Sequence, residues 1–196
     1  MPSTPDRPPP DAPPALRAYA DLLLRWNASV NLIGRGEARH LWTRHIADSL
    51  QLGRLSELPP RAIDLGSGAG FPGLVLAIAY GIHVDLIEQD QRKAAFLREA
   101  VRVTGAPAAV HAIDIAHAVL APAPLVTARA LAPLAKLLEF AERLLTPDGA
   151  CLFLKGRGVE QEIAEARQSW RMQVQRYPSE SDPAGVIMRI TGLSRS

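Results

Sequence analysis

The sequence lacks the residues on which several functional classes depend. Cys151 is the only cysteine among 196 residues, so no disulfide can form within the chain and nothing suggests a zinc cluster. The five histidines are scattered without an HxxxH pair, and we therefore predict no metal site. No uninterrupted apolar run is long enough to span a bilayer, so no membrane association is predicted.

The chain also has little net charge and no leader pattern. Its formal net charge is +2, which is compatible with a nucleic-acid partner but does not indicate one. The N-terminus is polar and proline-rich, without the positive-then-apolar order of a signal peptide. We therefore expect a cytoplasmic protein.

Length and composition predict one globular unit with a short appendage. Residues 1–13, MPSTPDRPPPDAP, are too rich in proline to form a helix or to pair, and they are predicted to be disordered. Residues 14–60 carry two helical patterns, at 14–27 and 38–52, and are predicted to form an N-terminal helical cap on a main domain at 61–196. Gly53 is expected to stop the second helix.

Strand and helix patterns alternate from residue 61 onward. The strand patterns fall at 61–65, 83–88, 108–113, 125–130, 150–155, 172–177 and 185–190, and the helical patterns at 72–80, 91–103, 114–120, 132–145 and 159–169. This alternation predicts an α/β, Rossmann-like fold with a mainly parallel sheet covered on both faces. The link at 179–184 is too short for a crossover helix, so the last two strands are predicted to pair antiparallel. We expect seven strands with the last one reversed.

The segment AIDLGSGAGFPGLVLAIA joins a predicted strand to a predicted helix through Gly66, Gly68 and Gly70. Such a loop brings backbone close to a nucleotide-like ligand. The GxGxxG dinucleotide fingerprint fails here, because its third glycine would fall at Phe71. The carboxylate of Asp64 beside the loop would repel a pyrophosphate, whereas S-adenosylmethionine carries positive charge and no phosphate. S-adenosylmethionine is therefore the predicted cofactor.

A second acidic residue, Glu88, ends the next predicted strand about twenty residues after the loop, where a carboxylate can accept hydrogen bonds from ribose hydroxyls. NAD sites place an acid at the same position, so Glu88 alone does not discriminate between the two cofactors. The combination of Asp64 with the G-x-G-x-G loop favours S-adenosylmethionine.

The string DLGSGAGFPG (64–73) closely resembles the motif of the bacterial small-subunit rRNA methyltransferase G family, also called glucose-inhibited division protein B. Further segments agree in order and spacing: WNASVNLIG (26–34), TRHIADSLQL (43–52), DLIEQDQRKAAFLR (85–98), ARAL (128–131) and LKGRG (154–158). The resemblance covers the chain from about residue 16 to its end. It implies methyl transfer from S-adenosylmethionine to N7 of one guanosine in 16S rRNA, on a class I methyltransferase fold.

The residues and the resemblance together predict a set of site residues. Cofactor binding is expected of Asp64, Gly66, Ser67, Gly68, Gly70, Phe71, Glu88, Asp114 and Arg129. Catalytic roles are expected of Arg129, which would hold the target nucleotide or its phosphate, and of Lys155, which can serve the same pocket. Each has a plainer alternative: a surface salt bridge for Arg129, a snorkelling lysine for Lys155 and a helix N-cap for Asp114.

From the residues alone, RNA contact is supported only by clusters of basic side chains. Two basic clusters could bind phosphates, Arg35, Arg39, Arg44 and His45 in the first and Arg92, Lys93 and Arg98 in the second. A solvated face is the alternative for both clusters. For His45, with Asp48 and Ser49 one turn later, a buried hydrogen-bonded pair is preferred over a contact with cofactor or RNA.

Two departures from the family pattern and three other functions remain open. Ile113 stands where many relatives carry an arginine, and Ile33 replaces a hydroxyl-bearing residue. A small-molecule methyltransferase, a non-catalytic ribosome-assembly factor and an NAD oxidoreductase are the alternatives. We predict a monomer that acts on 16S rRNA or on a small-subunit ribosomal particle.

Overall fold

A computed structural model describes residues 6–34, 36–55 and 57–196 of the chain. The helices are Pro14–Val30 (α1), Ala47–Leu55 (α2), Gly73–Tyr80 (α3), Gln91–Thr104 (α4), Leu134–Leu144 (α5) and Val159–Ala166 (α6). The strands are Arg61–Leu65 (β1), His83–Ile87 (β2), Ala108–His111 (β3), Ala123–Arg129 (β4), Leu145–Lys155 (β5), Trp170–Pro178 (β6) and Val186–Arg195 (β7). Short 3-10 turns lie at Glu37–His40 and Ile115–His117, and a π-helical segment lies at Leu41–Ile46.

All the strands form one seven-stranded sheet in the order β3-β2-β1-β4-β5-β7-β6. The pairs from β3 to β5 are parallel, whereas β7 lies antiparallel to both β5 and β6. The predicted α/β, Rossmann-like class and the antiparallel last strand are confirmed. Because the strand order reverses between β1 and β4, the carboxyl ends of these strands border the crevice where ligands of open α/β sheets bind.

Alternate residues of each central strand pack on opposite faces of the sheet. Ala62 belongs to the apolar cluster that contains α1, α2, α3 and α4, whereas Ile63 and Leu65 belong to the cluster that contains α5 and α6. The predicted cap therefore shares one core with the main domain. No helix among the described residues is both long and apolar enough to cross a membrane.

Two of the predicted helices differ from the structure for reasons that packing explains. The helix α2 continues through Gly53 to Leu55, and the ring of Tyr80 packs on this glycine so closely that a Cβ would lie 2.2 Å from Tyr80 Cζ. Gly53 therefore serves close packing and does not end the helix. The helix predicted at 114–120 is only a 3-10 turn, Ile115–His117, because the segment offers too few buried apolar positions for a longer helix.

The N-terminal arm differs from its predicted disorder where the structure describes it. Residues 1–5 lie outside the described residues. The Asp6 carboxylate accepts hydrogen bonds from the backbone N–H groups of Trp42 (3.0 Å) and Thr43 (2.7 Å). The Arg17 guanidinium donates to three backbone carbonyls between residues 9 and 12. Proline keeps its carbonyl acceptor, which lets this segment bind Arg17 without regular structure.

Candidate active site

The glycine loop between β1 and α3 adopts a backbone that only glycine enters readily. The φ angles of Gly66, Gly68 and Gly70 are +64°, +54° and +99°. A Cβ on Gly66 would also lie 2.6 Å from the side chain of Leu131, on the loop after β4. The three alternating glycines are thus required by the backbone path and by close packing at the crevice.

The buried Glu88 side chain braces this loop from the end of β2. Its Oε2 accepts a hydrogen bond from Gly68 N (2.8 Å), and its Oε1 accepts one from Asp90 N (2.8 Å). Asp90 in turn caps α4 through the backbone N–H groups of Arg92 and Lys93. Glu88 therefore holds the loop and lines the cleft beside it.

The Asp64 carboxyl is fully buried at the end of β1 and lies behind the loop. Its Oδ1 accepts a hydrogen bond from the Thr127 hydroxyl (2.6 Å), whereas Oδ2 has no partner among the described residues. Burial raises the pKa of Asp64 from 3.8 to about 6, although the hydrogen bond from Thr127 and the nearby polar groups of Ser67 and Gly73 oppose this rise. A carboxyl in this state would gain stability from a nearby positive charge.

A cleft of about 490 Å³ opens at the switch point of the sheet. Among the predicted site residues, those that line it are Gly66, Gly68, Glu88, Asp114 and Arg129. Four other predicted site residues do not line the cleft. They are buried behind it or lie in the glycine loop: Asp64, Ser67, Gly70 and Phe71. Asp114 forms the N-cap that was its plainer interpretation, because its Oδ1 accepts a hydrogen bond from Ala116 N (2.8 Å). It also borders the cleft.

Arg129 lies at the end of β4 and at one wall of this cleft. Its guanidinium carbon lies 5.3 Å from the centre of the Phe71 ring, and its Nη2 is in close contact with His45 Nδ1. The other terminal nitrogen, Nη1, is buried and finds no hydrogen-bond partner within the described ranges. Burial lowers the pKa of Arg129. Nη1 is thus the guanidinium nitrogen that the described residues leave unpaired.

His45, for which the sequence favoured a buried hydrogen-bonded pair with Asp48 and Ser49 one turn later, is buried beside Arg129, and the Ser49 hydroxyl donates to its backbone carbonyl (2.8 Å). Its ring stacks on Phe71 at 5.3 Å, and burial together with the charge of Arg129 lowers its pKa to about 3. The ring is therefore neutral near pH 7, and Nδ1 can accept from Arg129. Nε2 lies 3.1 Å from Glu37 Oε2 but outside hydrogen-bond geometry. His45 belongs to the π-helical segment, which periodicity does not reveal.

The basic clusters predicted for RNA contact are partly engaged by the protein itself. Arg44 Nη2 lies 2.8 Å from Asp182 Oδ2, and Arg92 donates to Ser29 O at 2.8 Å. Arg39 and Arg98 are exposed, whereas Arg35 lies outside the described residues.

Lys155 is mostly buried and tied to the protein. Its Nζ donates to Ala132 O (2.8 Å) and lies 2.6 Å from Glu162 Oε2, which also accepts from Leu134 N (2.7 Å). These contacts join the β4–α5 loop to α6, so the ammonium does not extend into solvent. The loop includes Ala130, which has a positive φ of 48° and borders the cleft.

Known structures share this arrangement of sheet and crevice. The structure of M. jannaschii TYW2 in complex with AdoMet has a TM-score of 0.61 at 13% identity, and the match covers 80% of this chain and 78% of that one. The Aquifex aeolicus tRNA (m1A58) methyltransferase TrmI has a TM-score of 0.57 at 12% identity, over 76% of this chain and 69% of its own. The fold is that of the class I S-adenosylmethionine-dependent methyltransferases.

Sequence comparison identifies the family. The family model described as rRNA small subunit methyltransferase G matches residues 13–184. Ribosomal RNA small subunit methyltransferase G of Granulibacter bethesdensis is 54% identical, over 92% of this chain and 85% of its own. The protein of that name from Gluconobacter oxydans is 51% identical, over 92% of this chain and 93% of its own.

The chain belongs to the rRNA small subunit methyltransferase G family. It is an S-adenosylmethionine-dependent enzyme that methylates N7 of a guanosine in 16S rRNA. The resemblance found in the sequence and the predicted cofactor are confirmed. Membership favours this activity over a small-molecule methyltransferase, a non-catalytic assembly factor and an NAD oxidoreductase.

Proposed function

We propose that Arg129, at the wall of the cofactor cleft, holds the target nucleotide for this reaction. The observation that carries the proposal is the buried Nη1 of Arg129, which has no partner in the described part of the chain. A buried unpaired donor costs free energy, and a phosphate or base oxygen would satisfy it. The reaction would take place in the cytoplasm, where bacterial ribosomal subunits are assembled. The active enzyme would be a monomer.

The residues of the crevice fit S-adenosylmethionine. The unpartnered Oδ2 of the buried Asp64 favours a cationic ligand over a pyrophosphate. Gly66 and Gly68 would bring bare backbone to the ligand, and Glu88 and Asp114 would accept its hydroxyl and amino hydrogens. When bound, the cofactor supplies a methyl group activated by positive sulfur.

The acceptor needs no deprotonation, because guanine N7 carries an in-plane lone pair and no proton. The chain's tasks are therefore to align the acceptor and to exclude water. Arg129 would fix the nucleotide by a charge-assisted hydrogen bond, and the neutral His45 and the Phe71 ring would fix Arg129. Lys155 would act as a positioning residue, since its bond to Ala132 O holds the turn that follows Arg129.

The test is transfer of a tritiated methyl group to 16S rRNA, and to small subunits, that lack the modification. Arg129→Ala should lower kcat about 100-fold, the scale of a misplaced reacting group, while the cofactor dissociation constant stays the same. Arg102→Ala, at an exposed arginine paired with Glu99, is the matched control and should be fully active. Full activity of Arg129→Ala would refute the assignment, and light scattering would test the monomer.

A further inference from the structure

A second cleft of about 270 Å³ lies beside the cofactor cleft and shares Arg129 and Ala130 with it. Its remaining wall comes from the ends of β5 and β7, from the cap and from the β6–β7 loop; it includes Asp48, Lys155 and Asp182. We propose that this cleft receives the target guanine and that the Asp48 carboxylate reads its Watson–Crick edge. The inference rests on the proposed function and names the residue that selects the base.

Asp48 is anchored on one side only. Its Oδ1 accepts hydrogen bonds from the hydroxyls of Ser179 (2.7 Å) and Ser181 (2.6 Å), both on the β6–β7 loop. No hydrogen bond from a described residue reaches its Oδ2, and no cationic group of the described chain lies within 4 Å of the carboxylate. The side chain is thus held in place by neutral donors and keeps an oxygen for a ligand.

The other two carboxylates of the cleft are already engaged. Asp182 Oδ2 lies 2.8 Å from Arg44 Nη2, and its Oδ1 accepts from Ala184 N (2.9 Å). Glu162 lies 2.6 Å from the Lys155 ammonium. Asp48 is therefore the acidic residue of this cleft best suited to accept hydrogen bonds from a base.

The chemistry of guanine matches this placement. Guanine carries N7 on one edge, while the N1–H and N2–H₂ donors lie on the edge across the ring. A guanine whose N7 faces the cofactor cleft would turn these donors toward the far wall, where Oδ2 of Asp48 has two lone pairs with which to accept them. Adenine presents an unprotonated N1 there, which a carboxylate repels.

Asp48 would also assist the reaction itself. Methylation at N7 makes the purine cationic, so a carboxylate on the opposite edge is attracted more strongly in the transition state than in the ground state. The negative charge of Asp48 already favours the protonated form of Arg129, since it opposes the lowering of the Arg129 pKa that burial causes. Its removal should therefore lower kcat as well as base selectivity.

The experiment compares guanosine with inosine at the target position of reconstituted small subunits. Inosine keeps N7 and N1–H but lacks the N2 amino group. The wild-type protein should methylate inosine at least tenfold more slowly, the scale of one hydrogen bond to a charged group. Asp48→Asn should lower the rate on guanosine at least tenfold and bring the guanosine-to-inosine ratio close to one. Cofactor binding measured by calorimetry should be unchanged.

Glu180→Gln is the matched control, because it neutralises an exposed carboxylate of the same loop and leaves Asp48 and its anchors in place. It should retain both the rate on guanosine and the preference for guanosine over inosine. A guanosine-to-inosine rate ratio near one in the wild-type protein, or an unaltered ratio in Asp48→Asn, would overturn the inference. Methylation of guanosine in the same experiment would still uphold the proposed function. Failure of the wild-type protein to methylate guanosine would overturn both.

Discussion

Protonation of Asp64 is expected to control cofactor affinity. The carboxyl is fully buried, one of its oxygens has no partner among the described residues, and burial raises its pKa from 3.8 to about 6. S-adenosylmethionine carries a net positive charge near neutral pH, which favours the ionised carboxylate. Binding should therefore release the Asp64 proton, and affinity should increase as the pH rises through 6.

The size of the effect follows from the pKa. With a pKa of about 6 in the free protein, about one tenth of the Asp64 carboxyls are ionised at pH 5 and about nine tenths at pH 7. A bound cofactor that returns this pKa to its ordinary range makes the dissociation constant about tenfold smaller at pH 7 than at pH 5, or about 1.4 kcal/mol.

Asp64 should contribute the opposite pH dependence to the stability of the free protein. A pKa that is raised in the folded state contributes stability that is complete below 3.8 and is lost as the pH rises through about 6. Stabilisation by the cofactor should therefore be larger at pH 7 than at pH 5.

Isothermal titration calorimetry from pH 5 to 7, in buffers of different ionisation enthalpy, measures both the affinity and the released proton. Asp64→Asn should remove the pH dependence, whereas Asp114→Asn, at an exposed carboxylate of the same cleft, should keep it. A dissociation constant of the wild-type protein that does not change between pH 5 and 7 would refute the reasoning, and so would an unchanged slope in Asp64→Asn.

Three other perturbations have defined outcomes. Gly73→Ala should abolish cofactor binding in calorimetry, because its Cβ would lie 2.5 Å from Asp64 Cβ, whereas Gly156→Ala meets no atom within 4 Å and should bind normally. Asp85→Asn should lower the free energy of unfolding in urea by about 3 kcal/mol at pH 7, because it leaves a partly buried arginine without its carboxylate; equal transition midpoints would contradict this. His45 should contribute a loss of stability from pH 6.5 down to about 3, opposite in sign to the Asp64 contribution, because its pKa is lowered to about 3 and the unfolded chain binds that proton first. His45→Phe should weaken this acid dependence in thermal unfolding, and an identical profile would show that His45 is not its source.

Local patterns in the sequence determined the strands, the loop and the cofactor. Strand patterns separated by helical periods were enough to predict seven strands, because side-chain periodicity reflects which face is buried. The short link at 179–184 was enough to predict the antiparallel end, because it leaves no room for a crossover helix. The alternating glycines and Asp64 were enough to favour a cationic cofactor, because backbone freedom and the sign of a charge are properties of the residues themselves.

Only the tertiary structure decided how distant segments meet. The sequence did not show that β7 lies between β5 and β6, that Gly53 contacts Tyr80, or that His45 of the cap reaches Arg129. These features depend on contacts between residues far apart in the chain, and neither periodicity nor composition records such contacts. The second cleft beside Arg129 exists only because the cap and the β6–β7 loop pack against the same end of the sheet.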